Sequence, residues 1–273
     1  MNFLSTILNQ KRQRVETAKL STSAGTLQLM ARGVRTTAVP HALLSALKDE
    51  GKFNVIAEFK RKSPSSGEIR SNVDPLVIVA AYEAAGAAAV SILTEEDYFD
   101  GSLDDLRSVR QAISLPILRK DFIFEEYQVY ESASAGADAI LLIVAALDDE
   151  VLSRLRRLAE DELGMDALVE VHTREEMARA VNSGAKLIGV NNRNLETFDV
   201  SLETSARLAS GCVDDSLLIS ESGIESVEDI QHLYDLGYRG FLIGGSLMRA
   251  DDPGEALKTL TQRRQGAKQD GSV

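Results

Sequence analysis

The sequence contains few cysteines and histidines and no tryptophan, and these shortages narrow what the protein can be. The single cysteine among 273 residues, Cys212, excludes an internal disulfide and a cysteine-built metal site. The three histidines are scattered without the spacing of zinc ligands. No apolar run approaches the ~20 residues of a membrane span, and no signal-peptide core follows Met1. We therefore expect a cytoplasmic protein that has no metal site and does not bind a membrane.

Basic residues are also in the minority. Lys and Arg number 30 against 42 Asp and Glu, so the formal net charge is −12. This balance argues against a nucleic-acid-binding surface and means that any anion site depends on local donors. With 44% hydrophobic and 26% charged residues, the composition is that of a globular protein.

Short apolar runs recur along the chain, and an amphipathic stretch follows each one. The runs are continuous rather than alternating, which is typical of parallel strands buried on both faces. A glycine often precedes the next run, as in Gly86-Ala87 and Gly136-Ala137, where it can end a helix. The predicted strands are Val55–Lys60, Ala89–Thr94, Pro116–Asp121, Ala139–Val144, Ala167–Val171, Leu187–Asn191, Leu217–Glu221 and Gly240–Gly244.

Eight strand–helix units favour an α/β protein of the (β/α)8 TIM barrel class with an N-terminal helical extension. An open doubly wound sheet is the alternative, but no Gly-x-Gly-x-x-Gly fingerprint follows the first strand. We expect residues 1–50 to form the extension, with helices at Phe3–Leu20 and His41–Lys48 on either side of Pro40. Residues 51–260 would form the barrel, and residues 261–273 a polar, frayed tail.

Ionisable and small polar residues stand at the end of the predicted strands. In a TIM barrel these ends meet at one face, where the active site lies. Any one of them could be a structural ion pair, but their recurrence at equivalent points indicates an enzyme. They are Glu58 and Lys60, Thr94 and Glu95, Lys120 and Asp121, Glu170, Asn191 and Arg193, Glu221 and Ser222, and Gly244 to Ser246.

Lys60, Lys120 and Glu170 are the candidates for acid–base chemistry. We expect a lysine that is crowded by other cations in a dry pocket to have a lowered pKa and to act as an acid. A glutamate between two lysines would stay ionised and accept a proton. A Schiff-base lysine is a second possibility that the residues leave open.

Glycine-rich turns follow the last two strands, in Ser222-Gly223-Ile224 and Gly244-Gly245-Ser246. Backbone N–H groups in such turns can approach a phosphate, although two tight turns are the alternative explanation. His172, two residues beyond Glu170, is more typical of a supporting role than of catalysis. The acidic run Glu95–Asp97 is more typical of a solvated loop than of a metal site.

The chain resembles the indole-3-glycerol-phosphate synthase family of tryptophan biosynthesis. The similarity covers residues 50–250 and, more loosely, the N-terminal helices, and the first and third of its motifs are specific. The matching motifs are Ile56-Ala57-Glu58-Phe59-Lys60-Arg61-Lys62-Ser63-Pro64-Ser65, Ser91-Ile92-Leu93-Thr94-Glu95, Leu118-Arg119-Lys120-Asp121-Phe122-Ile123, Gly189-Val190-Asn191-Asn192-Arg193-Asn194-Leu195, Glu221-Ser222-Gly223-Ile224 and Phe241-Leu242-Ile243-Gly244.

The resemblance implies a carboxy-lyase that converts 1-(2-carboxyphenylamino)-1-deoxyribulose 5-phosphate into indole-3-glycerol phosphate, carbon dioxide and water. It implies that Lys120 is the general acid, that Glu170 is the general base and that Lys60 holds the anthranilate carboxylate. Glu58 and Asn191 would orient these groups. No cofactor is implied, because the substrate's own iminium serves as the electron sink. The two lysines and Arg193, among few acids, would offset the protein's negative charge.

The resemblance also implies a binding shell around these groups. Arg193, Glu221 and Ser222 match substrate-binding positions, and the phosphate end matches Ser63, Gly223, Gly244 and Gly245. The apolar wall for the aromatic ring matches Phe99, Phe122, Leu141 and Leu195. We expect a small phosphorylated substrate and a monomer or weak homodimer.

Two other functions are weighed against this one. A phosphoribosylanthranilate isomerase-like barrel would need a Cys/Asp pair at strand ends, whereas Cys212 precedes a strand. A non-catalytic barrel would be indicated by the loss of Lys60, Lys120 or Glu170, and all three are present.

Overall fold

Eight parallel strands form a closed barrel, as the sequence predicts. The computed structural model describes residues 3–211 and 215–261. Each observed strand lies within one residue, at either end, of its predicted position. The strands are β1 (Asn54–Phe59), β2 (Ala89–Leu93), β3 (Ile117–Lys120), β4 (Ala139–Ile143), β5 (Asp166–Val171), β6 (Leu187–Asn191), β7 (Leu217–Glu221) and β8 (Gly240–Ile243).

Each strand pairs with its neighbours in the chain, and β1 closes the barrel by pairing with both β2 and β8. The closed order excludes the open doubly wound sheet. The register brings polar strand ends to one level: Leu93 pairs with Lys120, Ile143 with Glu170, and Asn191 with Glu221. Side chains from strands far apart in sequence therefore meet at one end of the barrel.

The helices of the barrel wall follow the strands and begin at polar caps. Asp74, Ser102 and Ser226 each accept a hydrogen bond from a backbone N–H of the first helical turn, which satisfies groups that have no partner within the helix. Leu158–Glu162 continues the fourth wall helix as a π-helical turn. The helices are α4 (Pro75–Ala84), α5 (Leu103–Ala112), α6 (Glu126–Ala135), α7 (Asp149–Arg157), α8 (Arg174–Asn182), α9 (Glu203–Leu208), α10 (Val227–Asp235), α11 (Gly245–Arg249) and α12 (Pro253–Thr261).

The apolar core has two parts, one on each face of the sheet. Inside the barrel, Ile56, Leu118, Leu168 and Ile219 belong to a buried cluster. A larger cluster fills the space between the outer face of the sheet and the helices. Both faces of the strands are thus buried, which explains their continuous apolar sequences.

Three helices precede the barrel: α1 (Phe3–Ser21), α2 (Ala24–Arg35) and α3 (Ala42–Ala46). Leu43 of α3 joins the cluster inside the barrel. On the same side of the molecule, Arg35 donates hydrogen bonds to the carbonyl oxygens of Leu163 and Gly164. The segment before the barrel is thus joined to this end of it by apolar packing and by hydrogen bonds.

The sequence prediction missed α2. Its two glycines, Gly25 and Gly33, lower helix propensity, but Ser23 caps its start and Leu27 and Ala31 are buried. It also missed α11, α12 and a short hairpin of Lys62–Ser63 with Gly67–Glu68. Of the predicted frayed tail, residues 261–273, Thr261 belongs to α12, and the rest of the tail lies outside the described residues, as does Cys212. None of the described helices is long and apolar enough to cross a membrane.

Candidate active site

A cavity of about 250 Å³ opens at the carboxyl ends of the strands. It brings together every residue that the sequence singles out as catalytic or substrate-binding. Proximity alone does not test the individual roles. The predicted residues that line it are Glu58, Lys60, Ser63, Phe99, Lys120, Phe122, Leu141, Glu170, Asn191, Arg193, Leu195, Glu221, Ser222, Gly223, Gly244 and Gly245.

The floor of the cavity is a lysine held between carboxylates. Lys120 Nζ lies 3.3 Å from Glu170 Oε2 and 3.3 Å from Glu221 Oε2. These groups come from β3, β5 and β7, so the arrangement depends on closure of the barrel. Glu170 is 2% exposed and Glu221 is 1% exposed. Little water reaches the cluster, and its charges interact strongly.

The expectation that cations crowd the lysine and lower its pKa is wrong. Burial alone lowers the pKa of Lys120, but Glu221, Glu170 and Glu58 outweigh burial and raise it above its ordinary value. For Glu170 the effects are opposite: burial raises the pKa, but the positive charges of Lys120 and His172 outweigh burial and lower it. Lys120 is therefore an ammonium and Glu170 a carboxylate, as the prediction that this glutamate stays ionised requires.

Glu221 differs from Glu170 in its hydrogen bonding. Neither carboxylate oxygen of Glu221 has a hydrogen-bond partner in the described part of the chain. Burial raises the pKa of Glu221, Lys120 opposes the change and Glu170 adds to it, and the result is a pKa of about 8. Of the two glutamates beside Lys120, Glu170 is thus ionised and Glu221 largely protonated at neutral pH.

A glycine makes room for Glu221. A Cβ on Gly189 of β6 would stand 2.0 Å from Glu221 Oε1, closer than any real contact of this kind. The same relationship holds between the end of β8 and β1, where a Cβ on Gly244 would stand 2.3 Å from Glu58 Oε1. Only glycine at these two positions allows the carboxylates to turn into the cavity.

Glu58 and Lys60 form an ion pair at the end of β1. Lys60 Nζ lies 2.6 Å from Glu58 Oε1. Glu58 is 4% exposed, whereas Lys60 is only partly buried. Lys60 is therefore a cation that an incoming anion can reach.

The expectation that the lysines lie among few acidic residues is also wrong. Two lysines face Glu58, Glu170 and Glu221, so the floor carries more acids than bases. An anionic group is accommodated by Lys60, by Arg193 and by the rim rather than by an excess of positive charge.

The rim beside β6 and β7 is ordered by hydrogen bonds. Asn191 Oδ1 accepts the backbone N–H of Arg193 at 3.0 Å and the Ser222 hydroxyl at 3.0 Å. Arg193 Nη1 donates to the Phe198 carbonyl at 3.0 Å. Ser222 has a φ of 68° and Gly223 a φ of 81°. This left-handed pair turns the chain sharply after β7 and keeps Ser222 at the cavity.

Phe99 and Phe122 form the aromatic wall, with ring centroids 6.4 Å apart. The N-terminal helix adds Phe3 and Leu4 to the cavity lining, and the loop after β6 adds Phe198 and Val200. Arg249 of α11 lines it as well. Sequence reasoning missed these residues because none follows a strand directly. Only the placement of α1 over the barrel mouth identifies the first two.

Three predicted strand-end groups have structural contacts. Asp121 accepts hydrogen bonds from Thr94 and Arg119, and it pairs with Lys11 of α1 at 2.8 Å. Glu95 accepts the backbone N–H groups of residues 97–99. These contacts shape the loops that support the site.

The Glu95–Asp97 run is the one group in residues 3–211 and 215–261 whose acidic side chains lie close enough to hold a cation together. Glu95 is buried, so the prediction of a solvated loop is wrong for it. Lys11 pairs with Glu96, and Arg14 with Asp97. Side-chain cations and backbone donors thus occupy the oxygen atoms that a metal would need.

The chain is similar in sequence to known proteins over almost its whole length. The family model described as "Indole-3-glycerol phosphate synthase" matches residues 4–260. A protein of that name from Carboxydothermus hydrogenoformans is 46% identical over 262 residues, covering 94% of this chain and 99% of that protein. One from Desulfosudis oleivorans is 46% identical over 260 residues, covering 95% and 98%.

Solved structures show the same fold at low identity. 3-Hexulose-6-phosphate synthase superposes with a TM-score of 0.61 at 14% identity, covering 76% of this chain and 97% of that chain. KGPDC from Streptococcus mutans gives a TM-score of 0.59 at 12% identity, covering 76% and 94%. These two likenesses concern the barrel alone. The match over nearly the whole sequence, together with the site, shows that this chain belongs to the indole-3-glycerol phosphate synthase family, whose members are carboxy-lyases.

Proposed function

We propose that the protein closes the indole ring of 1-(2-carboxyphenylamino)-1-deoxyribulose 5-phosphate, with Lys120 as acid and Glu170 as base. A bond forms between the ketone carbon and the ring carbon that carries the carboxylate, carbon dioxide leaves, and loss of water completes indole-3-glycerol phosphate. The observation that carries the proposal is the Lys120 ammonium, held 3.3 Å from Glu170 in a cavity with an aromatic wall.

Lys120 supplies positive charge where the ketone oxygen becomes negative. Because neighbouring carboxylates raise its pKa, the lysine is fully protonated at neutral pH and donates a hydrogen bond to the ground-state ketone. The proton moves once bond formation turns the oxygen into an alkoxide, which is more basic than the lysine. The buried surroundings strengthen this interaction in the transition state.

Glu170 is the proposed base for the dehydration step. Its lowered pKa keeps it ionised when the substrate binds. It assists loss of water by taking a proton from the methylene carbon next to the nitrogen, while an acid on the other side protonates the departing hydroxyl on the former ketone carbon. Glu221, with a pKa of about 8, can carry such a proton near neutral pH.

Lys60 is proposed to hold the anthranilate carboxylate. Lys60 lies just after the end of β1, where it forms an ion pair with Glu58. Phe99 and Phe122 would face the aromatic ring. An apolar wall disfavours a carboxylate beside it and thereby favours loss of carbon dioxide.

The phosphate end is proposed to lie at Ser63, Gly223, Gly244 and Gly245, with Arg193 nearby. Ser63 is buried and already accepts the backbone N–H of Ser66 at 3.2 Å. The rim therefore offers hydroxyl and backbone donors together with guanidinium charge. Division into an extension of residues 1–50, a barrel of 51–260 and a tail, the monomer or weak homodimer, and the cytoplasmic location remain predictions.

The test mixes purified protein with the synthetic substrate and follows the absorbance and fluorescence of the indole product. We expect both signals to rise together with release of one carbon dioxide per product. A substrate analogue without the ring carboxylate is the matched control and should give no carbon dioxide. No indole signal from the folded wild-type protein would refute the proposal.

A further inference from the structure

His172 lies beside the proposed base without lining the cavity. It follows β5, two residues after Glu170, and its side chain is 13% exposed. Its Nε2 atom lies 3.5 Å from Glu170 Oε1. The same Nε2 is buried and has no hydrogen-bond partner among the described residues. A buried imidazole nitrogen directed at a carboxylate indicates a role for the pair.

The other side of the ring is fixed by α8. Glu176 Oε2 lies 3.2 Å from His172 Nδ1 and accepts the His172 backbone N–H at 2.7 Å. The start of α8 is itself capped, because the Thr173 hydroxyl accepts the Glu176 backbone N–H. Rotation of the imidazole away from Glu170 would break the Nδ1 contact, so the helix start sets the ring's direction.

The two oxygens of Glu170 then face different cations. Oε1 faces His172, and Oε2 lies 3.3 Å from Lys120 Nζ. We propose that His172 is a positioning residue for Glu170: as an imidazolium clamped by Glu176, it fixes the plane of the carboxylate and keeps it ionised. The inference rests on the proposed function of Glu170 as the base.

The charge state follows from the groups that face the ring. Two carboxylates contact the ring, Glu170 from β5 and Glu176 from α8, and Glu221 of β7 also raises the pKa of His172 when it is ionised. Burial lowers the pKa of His172, but Glu176 and Glu170 outweigh burial and raise it above its ordinary value of 6.5. In the neutral ring with Nδ1–H directed at Glu176, the Nε2 lone pair would face the Glu170 carboxylate. Loss of the proton therefore replaces an attraction with a repulsion.

This arrangement gives the reaction an alkaline limit. As the pH rises through the His172 pKa, Glu170 loses its orienting partner and kcat falls. KM changes little, because His172 does not line the substrate cavity. A displacement of the base by about 1 Å can lower a rate roughly 100-fold.

The experiment measures kcat and KM against pH for wild type, His172→Gln, His172→Leu and His232→Gln. The glutamine amide nitrogen reaches the position of Nε2 and donates a hydrogen bond without titrating. We expect His172→Gln to retain activity and to show only the alkaline limb that Glu221 sets at its pKa of about 8. His172→Leu should have a kcat lower by roughly 10–100-fold with little change in KM. His232 is exposed on α10, and its variant should match wild type.

A measurement on the free protein separates this inference from the proposed function. The three histidines are titrated by NMR with ¹⁵N labelling, and His172 is assigned from its absence in the glutamine variant. We expect a pKa above the ordinary value that falls in Glu170→Gln and in Glu176→Gln. An unshifted His172, or an active His172→Leu enzyme with the wild-type alkaline limb, would overturn the inference. An inactive wild type with the expected NMR result would refute the proposed function only.

Discussion

Lys11 Nζ of the N-terminal helix lies 2.8 Å from Asp121 Oδ1, one residue beyond Lys120 of the barrel. Both side chains are almost completely buried, and Glu96 is the second partner of Lys11 at 2.6 Å. Asp121 also pairs with Arg119 at 3.0 Å. The extension is thus tied by buried charges to the strand end that carries the proposed acid.

Lys11→Met is expected to destabilise the protein by about 3 kcal/mol, because it removes one of the two cations that pair with the buried Asp121 carboxylate. It should also lower kcat, since the chain at Lys120 loses its anchor to α1. Urea unfolding and steady-state kinetics measure the two effects. Arg14→Met is the matched control: Arg14 pairs with Asp97 at 2.6 Å but is nearly half exposed, so its loss should cost less than about 1 kcal/mol. Equal losses in the two variants would contradict the role of the buried pair.

Lys120→Met is expected to lower kcat by at least roughly 10²–10⁴-fold while the affinity for substrate is largely retained. The methionine fills the space but supplies neither charge nor proton. Stopped-flow turnover and calorimetric binding measure the two quantities. Lys62→Met is the control, because Lys62 belongs to the same β1 motif as Lys60 but is exposed. Turnover at the wild-type rate in Lys120→Met would refute the acid assignment, and trapping of a substrate–lysine adduct with borohydride would favour the Schiff-base alternative.

Glu221→Gln is expected to change how stability depends on pH. The folded pKa of about 8 lies above the ordinary value of 4.5, so the folded state binds more protons between these limits. The contribution of Glu221 to stability is therefore present in full below 4.5 and is lost as the pH rises to about 8.

Glutamine does not titrate, so the variant's free energy of unfolding should fall less steeply with rising pH, by up to about 1.4 kcal/mol per pH unit. Urea unfolding from pH 5 to 8 measures the slope of the free energy of unfolding against pH. This range lies between the ordinary pKa of a glutamate, 4.5, and the folded pKa of Glu221, about 8. Glu196→Gln, an exposed site on the loop after β6, should keep the wild-type slope. A Glu221→Gln slope that equals wild type would contradict the raised pKa.

Gly189→Ala is expected to displace Glu221 and to destabilise the protein by about 1–3 kcal/mol. The added methyl group would meet Glu221 Oε1 and would also stand 3.1 Å from the Leu168 side chain. Activity should fall with stability, because Glu221 can move only towards Lys120 or away from the cavity. Thermal unfolding and kcat are the measurements.

Gly33→Ala is the matched control for this substitution. Gly33 lies within α2, and a Cβ there meets nothing within 4 Å. Alanine should stabilise that helix by about 0.5–1 kcal/mol without changing kcat. If alanine at residue 189 were tolerated as well as alanine at residue 33, the close approach to Glu221 would not matter.

The strands were predictable because strands that are buried on both faces have continuous apolar sequences. Leu187–Asn191 and Leu217–Glu221 are observed as predicted, and their polar last residues identified the mouth of the barrel. The N-terminal helix α2 was not predictable, since its stability comes from packing of Leu27 and Ala31 rather than from its own propensity.

The electrostatics of the site could be predicted only in part. Glu58, Lys120 and Glu221 are far apart in the sequence, and only closure of the barrel places their charges together. The sequence therefore predicted which side chains meet but not that carboxylates would surround the lysine and raise its pKa. The contact between Lys11 and Asp121 could not be predicted either. The residues around Lys11 in the sequence do not indicate that this lysine is buried.

The two ends of the cavity differ in charge, because acidic residues lie at its floor and hydrogen-bond donors and a guanidinium lie at its rim. Glu58 and Glu170 repel a dianion from the bottom of the barrel, whereas the Arg193 guanidinium and the glycine turns attract it at the opening. A molecule that carries a phosphate at one end and a singly charged ring at the other can therefore enter productively in one direction only. Under the proposed function, charge would therefore select the orientation of the substrate before any catalytic group acts.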